Sequence, residues 1–281
     1  MSFASDCGYC TRNFSFQGQA NPMSAILGLN ISSTARPVAT TARQFSSSEK
    51  RIVIHPNRNS RLVFLTEPAG LAVERYRLLR RRLCTLYPHG GVVLITSPNP
   101  GEGKTLTSVN LAWAFAEAGH AACLVDLDFR APGVSRALNC IFEEGGVKEV
   151  LEGKAEVNEL IRRVSETSFH VLGIKERMTS PGHLLYSQAL ASMMANLRAR
   201  FQWVVLDFAP VIPMADVSEV IAHVNGAILV VRNGKTEKDM LAPAIEAIGP
   251  KLWGVVANDC PINGSAYYGN YGKSPRLGQS K

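Results

Sequence analysis

Three short segments of this sequence carry groups suited to phosphate and metal chemistry. The first is Ser97-Pro98-Asn99-Pro100-Gly101-Glu102-Gly103-Lys104-Thr105, which combines two glycines, a lysine and a hydroxyl. It lies between an apolar run, Val92 to Thr96, and a stretch of helical spacing, Thr105 to Ala118. A strand, a glycine-rich turn and a helix in that order make a phosphate-binding loop. Gly101 and Gly103 let backbone N–H groups curl around an anion, and the helix N-terminus adds partial positive charge at the same point. Lys104 is then placed to reach the β- and γ-phosphates of a nucleotide, and the Thr105 hydroxyl to bind Mg²⁺. The usual pattern has glycine five residues before the second glycine. Pro98 stands there, so the loop is a variant.

The second segment is Cys123-Leu124-Val125-Asp126-Leu127-Asp128-Phe129-Arg130. Its two aspartates sit two apart at the C-terminal end of an apolar run. Strand ends of that kind face the ligand crevice of a parallel sheet, and a period of two turns both carboxylates the same way. The other reading is a helix cap or a surface ion pair with Arg130. The third segment, Trp203-Val204-Val205-Leu206-Asp207, is an apolar strand ending in one carboxylate, the form of a Mg²⁺-associated acid beside a phosphate loop. Mg²⁺ takes oxygen ligands and keeps waters, so a hydroxyl, phosphates and one or two carboxylates suffice.

The elements that position these groups alternate. Strands are expected at Val92 to Thr96, Ala122 to Asp126, Phe169 to Gly173, Trp203 to Asp207, Ala227 to Val231 and Gly254 to Ala257. Helices are expected at about 105–118, 146–163, 183–200, 215–223 and 236–248. Wholly apolar strands alternating with helices predict an α/β fold, a mostly parallel sheet with helices on both faces. Ahead of them, Ala72, Tyr76, Leu79, Leu83 and Leu86 recur at helical spacing, with Glu74, Arg77 and Arg81 opposite. That pattern predicts an amphipathic helix of about five turns ended by Pro88-His89-Gly90-Gly91.

Composition narrows the class. Hydrophobic residues are 46% of 281, and 19% are charged, which excludes a wholly disordered, collagen-like or disulfide-scaffold chain. The apolar runs are far shorter than the roughly 20 residues that span a bilayer. Formal net charge is +7, and residues 1–62 hold seven basic side chains against two acids. Those residues lack a sustained period and read as a disordered basic arm, suited to an anionic surface or to solubility alone. Met23 is an alternative start or the head of a docking helix. The three expected regions are the arm at 1–62, a nucleotide-binding domain at 63–262 and a flexible tail at 263–281. Cysteines stand at 7, 10, 84, 123, 140 and 260, without a second CxxC pair, and read as reduced thiols of a cytoplasmic protein. No His-x-x-x-His pair or Gly-x-Ser-x-Gly elbow is present, which disfavours zinc and serine hydrolases.

Together the motifs resemble those of the bacterial protein-tyrosine kinases, P-loop enzymes of capsule and exopolysaccharide export, over about residues 68–271. Thr96-Ser97-x-x-Pro100-Gly101-Glu102-Gly103-Lys104-Thr105 is similar to their Walker A loop, Asp126-x-Asp128-x-Arg130-x-Pro132 to Walker A′, and Asp207-x-x-Pro210 with Asp216 to Walker B. Glu74-x-x-Arg77-x-x-Arg80 resembles their oligomerisation motif. Ser180 to Leu185 and Val231 to Thr236 also resemble family segments. Tyr267, Tyr268 and Tyr271 lie where the family carries its tyrosine cluster.

The resemblance implies a P-loop NTPase fold and ATP with Mg²⁺ held by Pro100, Gly101, Glu102, Gly103, Lys104, Thr105 and Leu106, with Asn258 at the adenine. It implies catalysis by Lys104, Asp126, Asp128 and Asp207, Asp126 taking the phenol proton. A tail tyrosine of a neighbouring subunit would be the acceptor, in a ring held by Glu74, Arg77 and Arg80. The implied place is the inner face of the plasma membrane, beside a transmembrane polysaccharide co-polymerase that activates the kinase, with no nucleic acid. Two departures stand out. Asp207-Phe208-Ala209-Pro210 replaces the family's Asp-Thr-Pro-Pro, and the tail has only three tyrosines. The rival readings are a ParA/MinD-type ATPase, disfavoured because Asn99 stands where that group carries its signature lysine, and a nucleotide-gated scaffold without catalysis.

Overall fold

Apolar runs bounded by turn residues become the buried strands of one sheet. A computed structural model describes residues 50–54, 60–212 and 216–260. The expected phosphoacceptors Tyr267, Tyr268 and Tyr271, Met23, and most of the expected arm lie outside the described residues. In chain order the elements are β1 (Arg51–Ile52), α1 (Val63–Thr66), α2 (Leu71–Leu86), β2 (Gly91–Thr96), α3 (Lys104–Glu117), β3 (Ala122–Asp126), α4 (Val134–Leu138), α5 (Val147–Leu151) and α6 (Val157–Leu160). They continue with β4 (Arg162–Val164), β5 (Phe169–Leu172), α7 (Gly182–Leu185), α8 (Gln188–Arg200), β6 (Trp203–Asp207), α9 (Val217–Ala222), β7 (Gly226–Arg232), α10 (Leu241–Ile248) and β8 (Leu252–Asn258).

Among the described residues the strands form one eight-stranded sheet in the order β1-β4-β5-β3-β6-β2-β7-β8. Every pairing is parallel except β4 with β5. Side-chain alternation divides the core in two. Val92, Leu94, Val204, Leu206, Ala227 and Leu229 face α5 to α10, whereas Val93, Ile95, Trp203, Val205, Ile228 and Val230 face α2, α3 and α4. Both faces are therefore covered, as the apolar strands predict. Trp203 stacks on Phe115 of α3 at 4.3 Å between ring centroids and 13° between planes. Full burial of such rings stabilises the layer by roughly 1.5–3 kcal/mol each.

Several expectations are corrected. The arm does not run unbroken to residue 62: Arg51–Ile52 pairs in parallel with β4, and Leu62 and Phe64 are buried against the helical layer. Arg51 also bonds Glu166, and Lys50 bonds Glu144. The single helix expected over 146–163 is instead α5, α6 and β4. Gly153 takes a left-handed φ of 69° between the helices, and the Arg162 to Val164 backbone is claimed by ladders on both sides. The helix expected over 183–200 breaks at Ser187, whose backbone is extended. On α2 the fully buried face is Val73, Leu79 and Leu83, with Ala72 and Tyr76 only partly covered. No described helix is long and apolar enough to cross a membrane.

Candidate active site

The loop between β2 and α3 is held in shape by its own residues. Gly103 sits at φ 95°, a left-handed conformation in which side chains are strained, and an added Cβ would lie 2.4 Å from Nδ2 of Asn258. That amide nitrogen donates to the Glu102 carbonyl at 2.9 Å and lies 3.4 Å from the Thr107 hydroxyl. Asn258, expected at the adenine, also braces the loop. Glu102 is almost fully buried. Its Oε2 accepts the Asn99 N–H at 3.1 Å and its Oε1 accepts the Thr236 hydroxyl at 2.6 Å, so the carboxylate ties the loop to the turn after β7. Pro100 and Gly101 form the exposed tip, and Leu106 follows inside α3.

Three cations meet the loop among the described residues; one is Arg232, whose Nη1 lies 3.4 Å from the Gly101 carbonyl. Lys104 is buried and points its Nζ at Asp128 Oδ2, 2.6 Å away, with Asp207 Oδ1 at 3.8 Å. Burial works against its charge, but Asp207, Asp128 and Asp126 outweigh that and raise its pKa above the usual lysine value. Lys235 is the third cation. It is exposed, and its Nζ lies 3.4 Å from the point where a Cβ on Gly101 would stand. The segment Val231 to Thr236 was noted in the sequence, but this approach across the sheet has no local signal.

The three aspartates converge at the C-terminal ends of β3 and β6, of which β6 neighbours β2 and β3 lies on the far side of β6. Asp126 and Asp207 are direct register partners. Asp126 Oδ1 accepts the Asp128 N–H at 3.0 Å, and Oδ2 accepts the Val134 N–H at 3.1 Å. Burial first, and then the facing Asp207, raise the Asp126 pKa to about 8. Asp207 is also raised, chiefly by burial, against the pull of Lys104 and the Thr105 and Ser108 hydroxyls. Ser108 donates to its Oδ1 at 3.2 Å; this residue escaped the sequence reading. The alternative of a surface pair between these aspartates and Arg130 is excluded, because Arg130 pairs with Asp216 at 2.7 Å.

One atom of this cluster is unsatisfied. Asp207 Oδ2 is buried without a hydrogen-bond partner among the described residues. A buried carboxylate oxygen left so is costly, and a cation or its bound water would satisfy it. Thr105 Oγ1 stands nearby, pressed so close to the Gly133 backbone that a Cβ there would lie 2.7 Å from it. No group of three or more His, Cys, Asp or Glu side chains able to hold a metal by themselves occurs among the described residues. An oxygen-only set of Thr105, Asp126 and Asp207 suits Mg²⁺ completed by phosphates and water, and suits softer metals poorly.

The Walker B departure has a local explanation. The Phe208 side chain is buried in the core on the α8 face, and the Ala209 carbonyl accepts the Thr96 hydroxyl at 2.7 Å. A threonine hydroxyl is thus present near the loop, but it comes from β2. The α2 motif is engaged within the chain. Arg77 bonds both Glu74 and Glu117 of α3, its Nε at 2.9 Å from Glu117, and Arg80 donates to the Ala114 carbonyl at 3.1 Å. Glu74 remains half exposed.

Comparison with known proteins agrees with this geometry. Residues 93–266 match the family described as the CobQ/CobB/MinD/ParA nucleotide binding domain. The chain is 32% identical over 233 residues to the tyrosine-protein kinase YwqD of Bacillus subtilis (strain 168), covering 79% of this chain and 97% of that protein. It is 32% identical over 203 residues to the tyrosine-protein kinase CpsD of Streptococcus pneumoniae, covering 68% and 89%. Among solved structures, the BceF tyrosine kinase domain superposes with a TM-score of 0.64 at 28% identity, over 71% of this chain and 82% of that one.

Proposed function

The chain belongs to the CobQ/CobB/MinD/ParA nucleotide binding domain family and, within it, to the bacterial tyrosine-protein kinases, and from that premise we propose that it transfers the γ-phosphate of ATP to tyrosines of its own C-terminal tail, on a neighbouring subunit. The observation that carries this reading is the meeting of Lys104, Asp126, Asp128 and Asp207 beside the phosphate loop, with Asp207 Oδ2 left without a partner.

Each residue has a part in the proposed reaction. The backbone from Pro100 to Leu106 cradles the triphosphate, and Lys104 leaves Asp128 to meet its terminal oxygens. Lys235 adds a further positive charge at the open side of the loop. Thr105, Asp126 and Asp207 would hold Mg²⁺. ATP with Mg²⁺ supplies an activated phosphoryl group whose developing charge the metal neutralises. Asp126, in its charged form, accepts the proton of the incoming phenol at a carboxylate oxygen. Asp128, once released by Lys104, orients that phenol. Asn258 and Glu102 keep the loop in register throughout.

Tyr267, Tyr268 and Tyr271 are the proposed acceptors. They lie among Gly264, Gly269 and Gly272. Glu74, Arg77 and Arg80 hold subunits together by exchanging their contacts within the chain for contacts with a neighbour. A transmembrane polysaccharide co-polymerase is the proposed activator, with the protein at the inner membrane face and exopolysaccharide export as the process governed. Incubation of the full chain with ATP and Mg²⁺, followed by peptide mass spectrometry, tests the reading. Phosphate is expected on the tail tyrosines and absent when all three are changed to Phe. A ParA/MinD-type ATPase would release phosphate and leave every tyrosine unmodified.

A further inference from the structure

At the end of the sheet opposite the phosphate loop, where β6 begins, four side chains converge that the kinase reading does not use. Cys84, in the last turn of α2, places its Sγ 3.6 Å from Nε2 of His120. His120 Nδ1 lies 2.9 Å from Oε1 of Gln202. A carbonyl oxygen there selects the tautomer protonated at Nδ1, so Nε2 presents its lone pair to the thiol. Trp203, the next residue, is fully buried, and its indole Nε1–H has no hydrogen-bond partner among the described residues. Burial raises the Cys84 thiol pKa, while the Arg80 guanidinium and then this N–H favour its charged form. Phe115 packs against both rings. It stacks on Trp203 and meets His120 edge-on at 6.2 Å. Cys84 and His120 are both partly exposed.

We propose that Cys84 is a peroxide-reactive thiol, a site of oxidative modification assembled by His120, Gln202 and Trp203. Burial pushes the thiol pKa up, against Arg80 and the indole N–H, so the resting group is protonated. Its proton leaves to His120 Nε2 as the reaction begins. The thiolate sulfur attacks the terminal oxygen of a hydroperoxide, and an S–O bond forms as the O–O bond breaks. The departing hydroxide or alkoxide takes the proton back from the imidazolium. Sulfur is oxidised by two electrons to a sulfenic acid, and the peroxide is reduced to water or an alcohol. The new oxygen is an acceptor for the orphan indole N–H. The other described thiols lack this setting. Cys123 is fully buried, Cys140 feels burial alone, and Cys260 turns its sulfur to the Ala257 carbonyl.

The test treats the full chain with hydrogen peroxide and then with a cyclic 1,3-diketone that traps sulfenic acids. Peptide mass spectrometry reads Cys84, Cys140 and Cys260. Cys84 is expected to trap at least about tenfold faster than the other two, and His120→Asn to remove that advantage without changing Cys140 or Cys260. Gln202→Ala, at a partly exposed position, keeps the test open if His120→Asn does not fold, and is expected to slow Cys84 by about threefold or more. Equal rates at the three cysteines of the unmodified protein, or undiminished trapping at Cys84 in a folded variant, overturn the proposal.

Discussion

Lys104 and Asp128 form a buried ion pair, 2.6 Å between Nζ and Oδ2, across the gap between the start of α3 and the turn after β3. The lysine that should meet phosphate is thus already occupied by an acid expected to serve catalysis. On the proposed reading, nucleotide competes with Asp128 for this cation, and Asp128 is freed for the acceptor when the nucleotide wins.

That exchange predicts a split phenotype for Asp128→Asn. Binding of a Mg²⁺–nucleotide, followed by calorimetry, is expected to be unchanged or tighter because the competitor for Lys104 is gone. Phosphotransfer is expected to fall by roughly a hundredfold. Loss of binding with transfer otherwise intact would contradict the exchange.

The pairing of Asp126 with Asp207 predicts a pH dependence. The Asp126 pKa is raised to about 8 in the folded protein by burial and by Asp207. The unfolded value is about 3.9, so between those limits the folded state holds the extra proton and stability falls as pH rises. Metal binding needs the charged carboxylate and has the opposite sign. Affinity for Mg²⁺–nucleotide is expected to climb from pH 6 to 8, by at most about tenfold per pH unit, with proton release on binding. Calorimetry in buffers of different ionisation enthalpy measures that release. Asp126→Asn is expected to abolish it and to flatten the stability slope.

The left-handed turn at Gly103 predicts a local failure. Gly103→Ala places a Cβ 2.4 Å from Asn258 Nδ2 and forces a strained φ, at a cost of about 1–2 kcal/mol. The Asn258 brace to the Glu102 carbonyl would give way. Nucleotide binding is expected to drop at least about tenfold while the thermal transition moves by only a few degrees. Fluorescent-nucleotide titration and a melting curve read both.

Contacts of α2 with α3 predict the behaviour of the assembly. Arg77 is held by Glu117 and Glu74 at an exposed position, where ion pairs add little to stability. Arg77→Ala is therefore expected to melt close to the parent protein. Sedimentation should nevertheless show the oligomer reduced to monomer, if the motif acts between subunits.

Much of this was legible in the sequence because the informative residues are close in the chain. The strand ends Thr96, Asp126 and Asp207 were found directly, since apolar runs stop at turn residues. The loop around Gly103 was found because its glycines, lysine and hydroxyl are contiguous. What was missed depends on contacts far apart in sequence. β1 and β4 are two and three residues long and rich in arginine, so neither gives an apolar run; pairing across the sheet edge makes them strands. Lys235 over Gly101, Thr236 on Glu102 and Ser108 on Asp207 are set by packing across the sheet, which leaves no periodic trace.

The most direct measurement incubates the purified full chain with γ-labelled ATP and Mg²⁺ and identifies the labelled amino acid. The account predicts phosphotyrosine in the parent protein and none in Lys104→Met, with the variant still folded. Label on tyrosine at the parent rate in Lys104→Met, or ATP consumed by the parent protein without any labelled tyrosine, would contradict it.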